Sequence, residues 1–324
     1  MPLTTEPLIE FKEPVVLPFR NGFVTAQRDV HSGYVFFQPP SPEELSAYYQ
    51  SEYAKKQVGY YTVDTDYNPG KNGYHASRIL DLYRTLQNRE PRSAFELGCA
   101  YGGLVFEMAR RGIEARGSDI NRMAIAEGRR VKGNDRIVHA RNIDAFEVIR
   151  KPVDLIYSVH TLEHDERLID VIGKCRRALT DDGGLLFVGV PNAMYVHAML
   201  EGFRHNYWAA YPEHLHMLSA GFLPELCREA GFVPVFYETR IFFDVDVQLT
   251  NQFNSSKLTE PKRAIWEMIL GTAGHGMELN FMLTPIGSQT AIRLAARIRQ
   301  VQDALEVVRQ REVAVRAFLK DALR

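Results

Sequence analysis

The sequence predicts an α/β fold, with a doubly wound, Rossmann-like seven-stranded sheet, an N-terminal accessory segment and a C-terminal long helix. Between residues 93 and 191, short apolar runs alternate with amphipathic stretches, which is typical of βαβ units around a parallel sheet. A glycine-rich turn follows the first run, and the second run ends in an aspartate about 20 residues later. Together these observations predict a ligand site at the carboxyl ends of the strands.

Residues 1–72 are expected to form an accessory or cap segment. Its first 40 residues are rich in proline and β-forming residues, which predicts short strands. Ser41 is followed by a first-turn proline and by Glu44, so a helix with a capping box is expected there. The stretch 59–72 carries turn residues without periodicity, which predicts a loop. The tyrosines of this segment either roof a substrate or pack in the core: Tyr48, Tyr49, Tyr53, Tyr60 and Tyr61.

Residues 73–289 are expected to form the main domain. Amphipathic helices are predicted at 102–112, 121–130 and 165–179, and a terminal strand at 277–284. An insertion at about 243–276 carries no readable motif. Its expected role is either to cover the site or to mediate dimerisation. The apolar runs that predict the first five strands are SAFELG, IEARGSD, DRIVHA, DLIYSV and GLLFVGV.

Residues 290–324 are expected to form a helix with a heptad-like apolar seam that Glu312 interrupts. One interpretation is a coiled coil that joins a second copy or recruits a partner enzyme. The other is a long surface helix that packs on its own domain. The seam consists of Leu294, Ile298, Val301, Leu305, Val308, Val315 and Leu319.

Composition and charge disfavour several classes of function. Lys and Arg total 39 against 40 Asp and Glu, so the formal net charge is −1 and no basic field attracts nucleic acid. The three cysteines are scattered, which predicts neither a disulfide framework nor a thiolate zinc site, and no other metal site is expected. With neither a signal-peptide pattern nor a run of 18 apolar residues, no membrane span is expected and a cytoplasmic location is predicted.

The turn after the first apolar run has the residue types of a cofactor site. Gly98, Ala100 and Gly102 lie between strand and helix, where backbone approaches a ligand closely. Asp119 ends the second strand and is well placed to accept hydrogen bonds from two ribose hydroxyls. Glu96 discriminates between adenosine-containing ligands, because an anionic strand end disfavours a pyrophosphate and favours the ammonium and sulfonium groups of S-adenosylmethionine.

Four successive segments resemble the motifs of class I S-adenosylmethionine-dependent methyltransferases: ELGCAYGGL, GSDINRMAI, VDLIYSVHTLEH and LTDDGGLLFVGVPN. They are similar to the subgroup of ubiquinone-biosynthesis-type and deoxysugar methyltransferases, over roughly residues 73–240. The resemblance implies S-adenosylmethionine as the cofactor. It also implies that Glu96, Gly98 and Gly102 frame the methionine part, while Asp119 with Ile120 holds the ribose.

The same resemblance assigns further residues to the cofactor. Asn142 or Ile143 would neighbour the adenine, and Ser158 to His160 would line the methionine end. Ala100 departs from the middle glycine of the family, which puts the close approach of the loop in question. Relatives can carry a cysteine zinc module before a segment like GYVFFQPPSPEELSAYY; the matching region here has no cysteine, so zinc is not expected.

Residues 191–217 are expected to supply the acceptor-side chemistry, since substrates of α/β sheets lie beyond the carboxyl ends of the strands. The stretch Tyr211-Pro212-Glu213-His214 resembles a Tyr-x-Glu-His element of deoxysugar C-methyltransferases. The resemblance implies His214 as the general base, with Tyr211 or Glu213 orienting it or sharing its proton. A free histidine pKa of about 6.5 suits this role. The alternative is that His214 caps or packs.

The sequence therefore predicts a methyltransferase acting at oxygen or carbon of a small polar metabolite, such as a sugar or a sugar-containing natural product. One alternative is N- or O-methylation of a non-sugar natural product, for which a base is dispensable. Another is a cofactor-binding scaffold that recruits a partner enzyme through the C-terminal helix.

Overall fold

The computed structural model describes residues 11–19, 22–29, 35–37, 41, 43–44, 47, 62–194, 214–240 and 278–322. The strands in these ranges are β1 (Phe11–Phe19), β2 (Gly22–Asp29), β3 (Val35–Phe37), β4 (Ser93–Leu97), β5 (Glu114–Asp119), β6 (Ile137–His139), β7 (Leu155–Val159), β8 (Leu185–Pro191), β9 (His216–Met217), β10 (Phe232–Arg240) and β11 (Glu278–Pro285). The α-helices are α1 (Val63–Asp66), α2 (Pro69–Gln87), α3 (Gly103–Arg110), α4 (Arg122–Lys132), α5 (Leu168–Ala178), α6 (Leu223–Glu229), α7 (Gln289–Arg293) and α8 (Ala295–Ala322).

The larger sheet has seven strands in the order β10-β11-β8-β7-β4-β5-β6. Strands β8, β7, β4, β5 and β6 run parallel, whereas β11 pairs antiparallel with both β10 and β8. The five apolar runs and the predicted terminal strand all lie in this sheet, and helices α3, α4 and α5 alternate with its strands. The predicted fold class is confirmed, including the long C-terminal helix.

Alternation along β4 places its residues on the two faces of this sheet. Phe95 and Leu97 belong to one apolar cluster, and Ala94 belongs to the other. By the same alternation Glu96 shares the face of Ala94, and it ends up next to the Tyr157 register position of β7. Glu96, the residue predicted to contact the cofactor, therefore lies on an interior strand of the sheet.

A smaller antiparallel sheet joins the N-terminal segment to the residues just after His214. Its strand order is β1-β2-β3-β9. Phe36 of β3 pairs with His216 of β9, and the centroids of their rings lie 5.0 Å apart. The accessory segment thus holds the part of the chain that carries the candidate base.

The helix start predicted at Ser41 is confirmed by its capping box. Ser41 N donates to Glu44 Oε2 at 2.9 Å, and Glu44 N donates to Ser41 Oγ at 3.2 Å. The loop predicted at 59–72 is wrong from residue 62 onward, because Thr62 and Asn68 cap two helices there. The residues of the predicted aromatic roof lie outside the described ranges: Tyr48, Tyr49, Tyr53, Tyr60 and Tyr61.

The C-terminal helix α8 packs on its own domain. Leu305 and Val308 are buried in the core, and the other described seam residues pack against it. Their apolar surface is therefore used within the chain, as the second interpretation of the seam expects, and a coiled coil is not shown. The side chains of Val315 and Leu319, and the whole 243–276 insertion, lie outside the described part of the chain.

Glu312, which interrupts the seam, anchors this helix by its carboxylate. It is buried and accepts hydrogen bonds from Ser219 Oγ at 2.6 Å and from Gly221 N at 3.1 Å. An acidic residue in an apolar seam is thus explained by two donors from a segment 91 to 93 residues away.

Candidate functional site

A tight elbow connects β4 to α3, and three of its residues have left-handed backbone: Gly98 (φ 74°), Ala100 (φ 47°) and Gly102 (φ 89°). A Cβ added to Gly98 would lie 2.1 Å from Thr161 Oγ1, and one added to Gly102 would lie 2.7 Å from Asn134 Nδ2. Glycine is required at both positions for space as well as for conformation. Ala100 adopts the same conformation with a methyl group, so its departure from glycine leaves the elbow intact.

Asp119, at the end of β5, ties the elbow to the neighbouring strand. Its Oδ2 accepts from Ala100 N at 2.8 Å, and its Oδ1 accepts from Asn121 N at 2.7 Å. Burial raises the pKa of Asp119, and these two backbone hydrogen bonds oppose the shift. Each oxygen keeps a second lone pair, so the carboxylate can still accept from a ribose diol. Ile120 follows it with a 39% exposed side chain.

Glu96 is buried beneath this elbow. Within the described ranges its Oε2 has no hydrogen-bond partner. Burial, followed by the negative charges of Asp66 and Asp119, holds the pKa of Glu96 well above its usual value. A cation bound beside Glu96 would compensate for its burial and give the unbonded oxygen a partner. The site is therefore suited to the ammonium of S-adenosylmethionine.

The residues expected near the adenine differ in their surroundings. Asn142 Nδ2 donates to Asp165 Oδ2 at 3.0 Å, on the turn that follows β7. The side chain of Ile143 is buried in the apolar core, and its carbonyl accepts from Lys174 Nζ at 2.8 Å. Contact of either residue with adenine stays a prediction.

His160 lies just beyond β7, the strand next to β4 in the sheet. It has left-handed backbone (φ 52°), and its Nε2 lies 2.9 Å from Glu278 Oε2 at the start of β11. Burial alone would lower the pKa of His160, but the carboxylates of Glu163 and Glu278 outweigh it and raise the pKa to about 10. Ser158, two residues earlier, is fully buried, and its Oγ meets no hydrogen-bond partner among the described residues.

His214 lies in a cluster with Glu163 and His164. Its ring meets that of His164 edge to face, with 4.7 Å between centroids, and Glu163 Oε1 lies 3.7 Å from His164 Nε2. Leu215 N donates to the Glu163 carbonyl at 2.8 Å, which fixes the two segments together. Burial would raise the pKa of Glu163, but the charges of His164, His160 and His214 outweigh it and lower the pKa to about 2.

The donor atoms of Glu163, His164 and His214 all lie within 4.8 Å of one another. Two imidazoles and a carboxylate are a set that a divalent transition metal can take, although the sequence predicted no metal. They are equally a set in which the carboxylate stabilises a protonated imidazole. Tyr211 and Glu213, the predicted partners of His214, lie outside the described residues.

His216 is separate from this cluster. Its Nε2 lies 2.6 Å from the carbonyl of Asp165, and burial lowers its pKa to about 4. A neutral imidazole that bonds a backbone carbonyl beside β3 is a structural element of the smaller sheet.

Sequence reasoning missed Asp66 and Glu278. Asp66 Oδ2 accepts from Gly103 N, the first residue of α3, at 2.7 Å, although Asp66 lies in the stretch predicted to be a loop. The cap residue Thr62 and the Asn68-Pro69 pair are the local signals that could have revealed helices there. No local pattern points to Glu278, because only the sheet brings it to His160.

Residues 72–235 match the family model of a methyltransferase domain. Among solved structures, the plantazolicin methyltransferase BpumL, in complex with a pentazolic desmethylPZN analog and SAH, is 14% identical over 75% of this chain and 97% of that chain, with a TM-score of 0.49. An S-adenosylmethionine-dependent methyltransferase from Archaeoglobus fulgidus is 18% identical over 65% and 93%, with a TM-score of 0.46. One from Mesorhizobium loti is 19% identical over 63% and 95%, with a TM-score of 0.44.

At such identities these likenesses concern the fold alone. A search of curated proteins found no match. Of the helices that the structure describes, none is long and apolar enough to cross a membrane.

Proposed function

The chain belongs to the family of methyltransferase domains, and from this premise we propose that it methylates a hydroxyl oxygen or a carbon of a small polar metabolite, with His214 as the general base. The enzyme uses S-adenosylmethionine, which when bound supplies an electrophilic methyl carbon on a sulfonium. The acceptor in this proposal is a sugar or a sugar-containing natural product.

The donor side supports this proposal through its charges. The buried carboxylate of Glu96 fits the ammonium of the donor, and Asp119 at the end of β5 fits its ribose hydroxyls. Asp66 covers the start of α3, where a dinucleotide would place a phosphate. The pocket therefore favours a cationic adenosine-containing donor over a dinucleotide.

The acceptor side supports His214 through its neighbour Glu163. As the acceptor oxygen or carbon forms its bond to the methyl carbon, His214 takes the proton that the acceptor loses, and the bonding pair of the broken C–S bond stays on sulfur. The buried carboxylate of Glu163 stabilises the imidazolium that results, since its donor atom lies within 4.8 Å of that of His214. This carboxylate beside the candidate base is the observation that carries the proposal.

A second candidate is methylation of an amine on a non-sugar natural product. The acceptor side is acidic, with Glu163 and Glu278 both buried around His160, and such surroundings favour a cationic acceptor. Once an amine has lost its proton it needs no base during methyl transfer, so its methylation would not depend on His214. The scaffold alternative loses support from α8, because the described seam residues are used within the chain.

The test is methyl transfer from labelled S-adenosylmethionine by the full chain to a panel of nucleotide sugars, saccharides and amines. With the acceptor that is turned over, we expect His214→Ala to lower kcat by about 100-fold or more, as loss of a general base does. Its affinity for S-adenosylhomocysteine should stay within about twofold of wild type, since the donor pocket is intact.

The matched control is His216→Gln, which removes a buried imidazole two residues away that bonds the carbonyl of Asp165 and is not among the donor atoms of the cluster. A structural role of His214 would affect both variants through stability, whereas a base role changes only the kcat of His214→Ala and its dependence on pH. Unchanged turnover in His214→Ala would contradict the base assignment. Loss of wild-type turnover on dialysis against EDTA would contradict it as well, by assigning the cluster to a metal.

A further inference from the structure

One buried carboxylate of the donor side lies outside the matched methyltransferase domain. Asp66 belongs to α1, whereas the match begins at residue 72. Its side chain is 5% exposed and faces the elbow rather than solvent. Asp66 therefore reaches the elbow from residues just before the matched range.

The contact between this segment and the elbow is close and specific. A Cβ added to Gly103 would lie 2.1 Å from the carbonyl of Asp66, so only glycine allows the approach. Tyr67 adds a second attachment, because its hydroxyl donates to the carbonyl of Tyr101 at 3.1 Å and accepts from Asn134 Nδ2 at 2.9 Å. Asp66 is thus held against the elbow by its own backbone contact with Gly103 and by the hydrogen bonds of the next residue, Tyr67.

Asp66 lies at the first turn of α3. Its Oδ2 accepts from Gly103 N at 2.7 Å, where the helix dipole and the unpaired N–H groups stabilise a negative charge. Glu96, by contrast, has an orphaned oxygen and a raised pKa to which the charge of Asp66 contributes. Of these two carboxylates, Asp66 is the one whose negative charge is stabilised by a helix N-terminus.

We infer that Asp66 is a specificity residue for the methyl donor, whose fixed negative charge makes the pocket bind S-adenosylmethionine in preference to the demethylated product. The two ligands share every group except the methyl, and they differ by the positive charge of the sulfonium. A buried negative charge therefore raises the affinity for S-adenosylmethionine more than the affinity for the product. Hydrogen bonds to adenine and ribose contribute equally to both affinities. The inference rests on the donor chemistry of the proposed function and is independent of the acceptor.

The experiment is calorimetric titration of the full chain with S-adenosylmethionine and with S-adenosylhomocysteine, without acceptor. In Asp66→Asn, whose amide oxygen can still accept from Gly103 N, we expect the affinity for S-adenosylmethionine to fall about tenfold, as loss of a buried charge predicts. The affinity for S-adenosylhomocysteine should change less than about twofold, since that ligand lacks the sulfonium charge.

Asp64→Asn is the matched control. Asp64 lies in the same helix but is exposed, and it pairs with Lys132 on the surface, so its loss should leave both affinities unchanged. Asp66→Ser, which keeps an acceptor oxygen without the charge, repeats the test if the asparagine variant does not fold. An equal loss for both ligands, or no loss for either, would overturn the inference. Neither result bears on which acceptor is methylated, so this failure is distinguishable from failure of the proposed function.

Discussion

The elbow, which is the proposed donor side, and the histidine–carboxylate region, which is the proposed acceptor side, are built in different ways. The donor side is a continuous elbow, in which Gly98, Ala100 and Gly102 take left-handed backbone within five residues and Asp119 closes it from the adjacent strand. The acceptor side is assembled from three distant segments, which contribute the turn after β7, His214 and the start of β11. Backbone geometry therefore controls the first region, and side-chain charges control the second.

The two regions should therefore be impaired by different kinds of substitution. A methyl group added at Gly98 or at Gly102 would lie 2.1 Å from Thr161 Oγ1 or 2.7 Å from Asn134 Nδ2, so these two positions of the elbow accept only glycine. On the acceptor side a substitution changes protonation and orientation, and the effect depends on contacts that hold distant segments together. Three further variants test this contrast.

The largest effect is expected for Gly98→Ala. The new Cβ would lie 2.1 Å from Thr161 Oγ1 at a backbone φ of 74°, so the elbow and Thr161 must both shift. We expect the affinity for S-adenosylhomocysteine to fall by about 100-fold or more, which corresponds to about 2.7 kcal/mol, measured by calorimetry.

Gly112→Ala is the matched control for that variant. Gly112 has a similar φ of 88°, but no atom lies within 4 Å of the added Cβ. It should cost about 1 kcal/mol of unfolding free energy and leave binding unchanged. Binding by Gly98→Ala within about threefold of wild type would show that the elbow is not controlled by backbone geometry.

Glu312→Ala tests the distant contact that anchors α8 to the segment following β9. Removing the carboxylate leaves Ser219 Oγ and Gly221 N buried without their acceptor, so the unfolding free energy should fall by about 2–4 kcal/mol in urea titrations. Glu306→Ala, which removes an exposed partner of Arg309, should cost less than about 0.5 kcal/mol. Equal losses in the two variants would mean that Glu312 anchors nothing.

The smallest effect is expected for Glu96→Gln and concerns pH. Burial and the charges of Asp66 and Asp119 raise the pKa of Glu96 in the free enzyme, whereas the ammonium of the donor favours its ionised form. Wild-type affinity for S-adenosylmethionine should therefore rise with pH until Glu96 is ionised in the free enzyme, and the affinity of the variant should show no such rise. Calorimetry over a pH series checks this, with a loss of about tenfold in the variant at the upper end. A variant whose affinity still follows the wild-type pH profile would assign that profile to another group.

The sequence by itself determined the alternation of strands and helices, the elbow glycines and the aspartate at the end of β5. The alternation follows from the spacing of apolar residues, and the elbow follows from glycines at positions whose backbone conformation favours glycine. Both signals are contained within a few neighbouring positions. The same local logic placed the helix start at Ser41 and missed helix α1 and the first turn of α2, since residues 59–72 show no apolar periodicity.

Only the tertiary structure decided which charges meet. Glu278 reaches His160 because β11 inserts between β10 and β8, and Asp66 reaches Gly103 because α1 folds back over the elbow. It likewise decided that α8 packs on its own domain, with Glu312 bonded to residues 219 and 221. Contacts across 37 to 118 residues depend on how whole elements pack, and no local pattern in the chain records that choice.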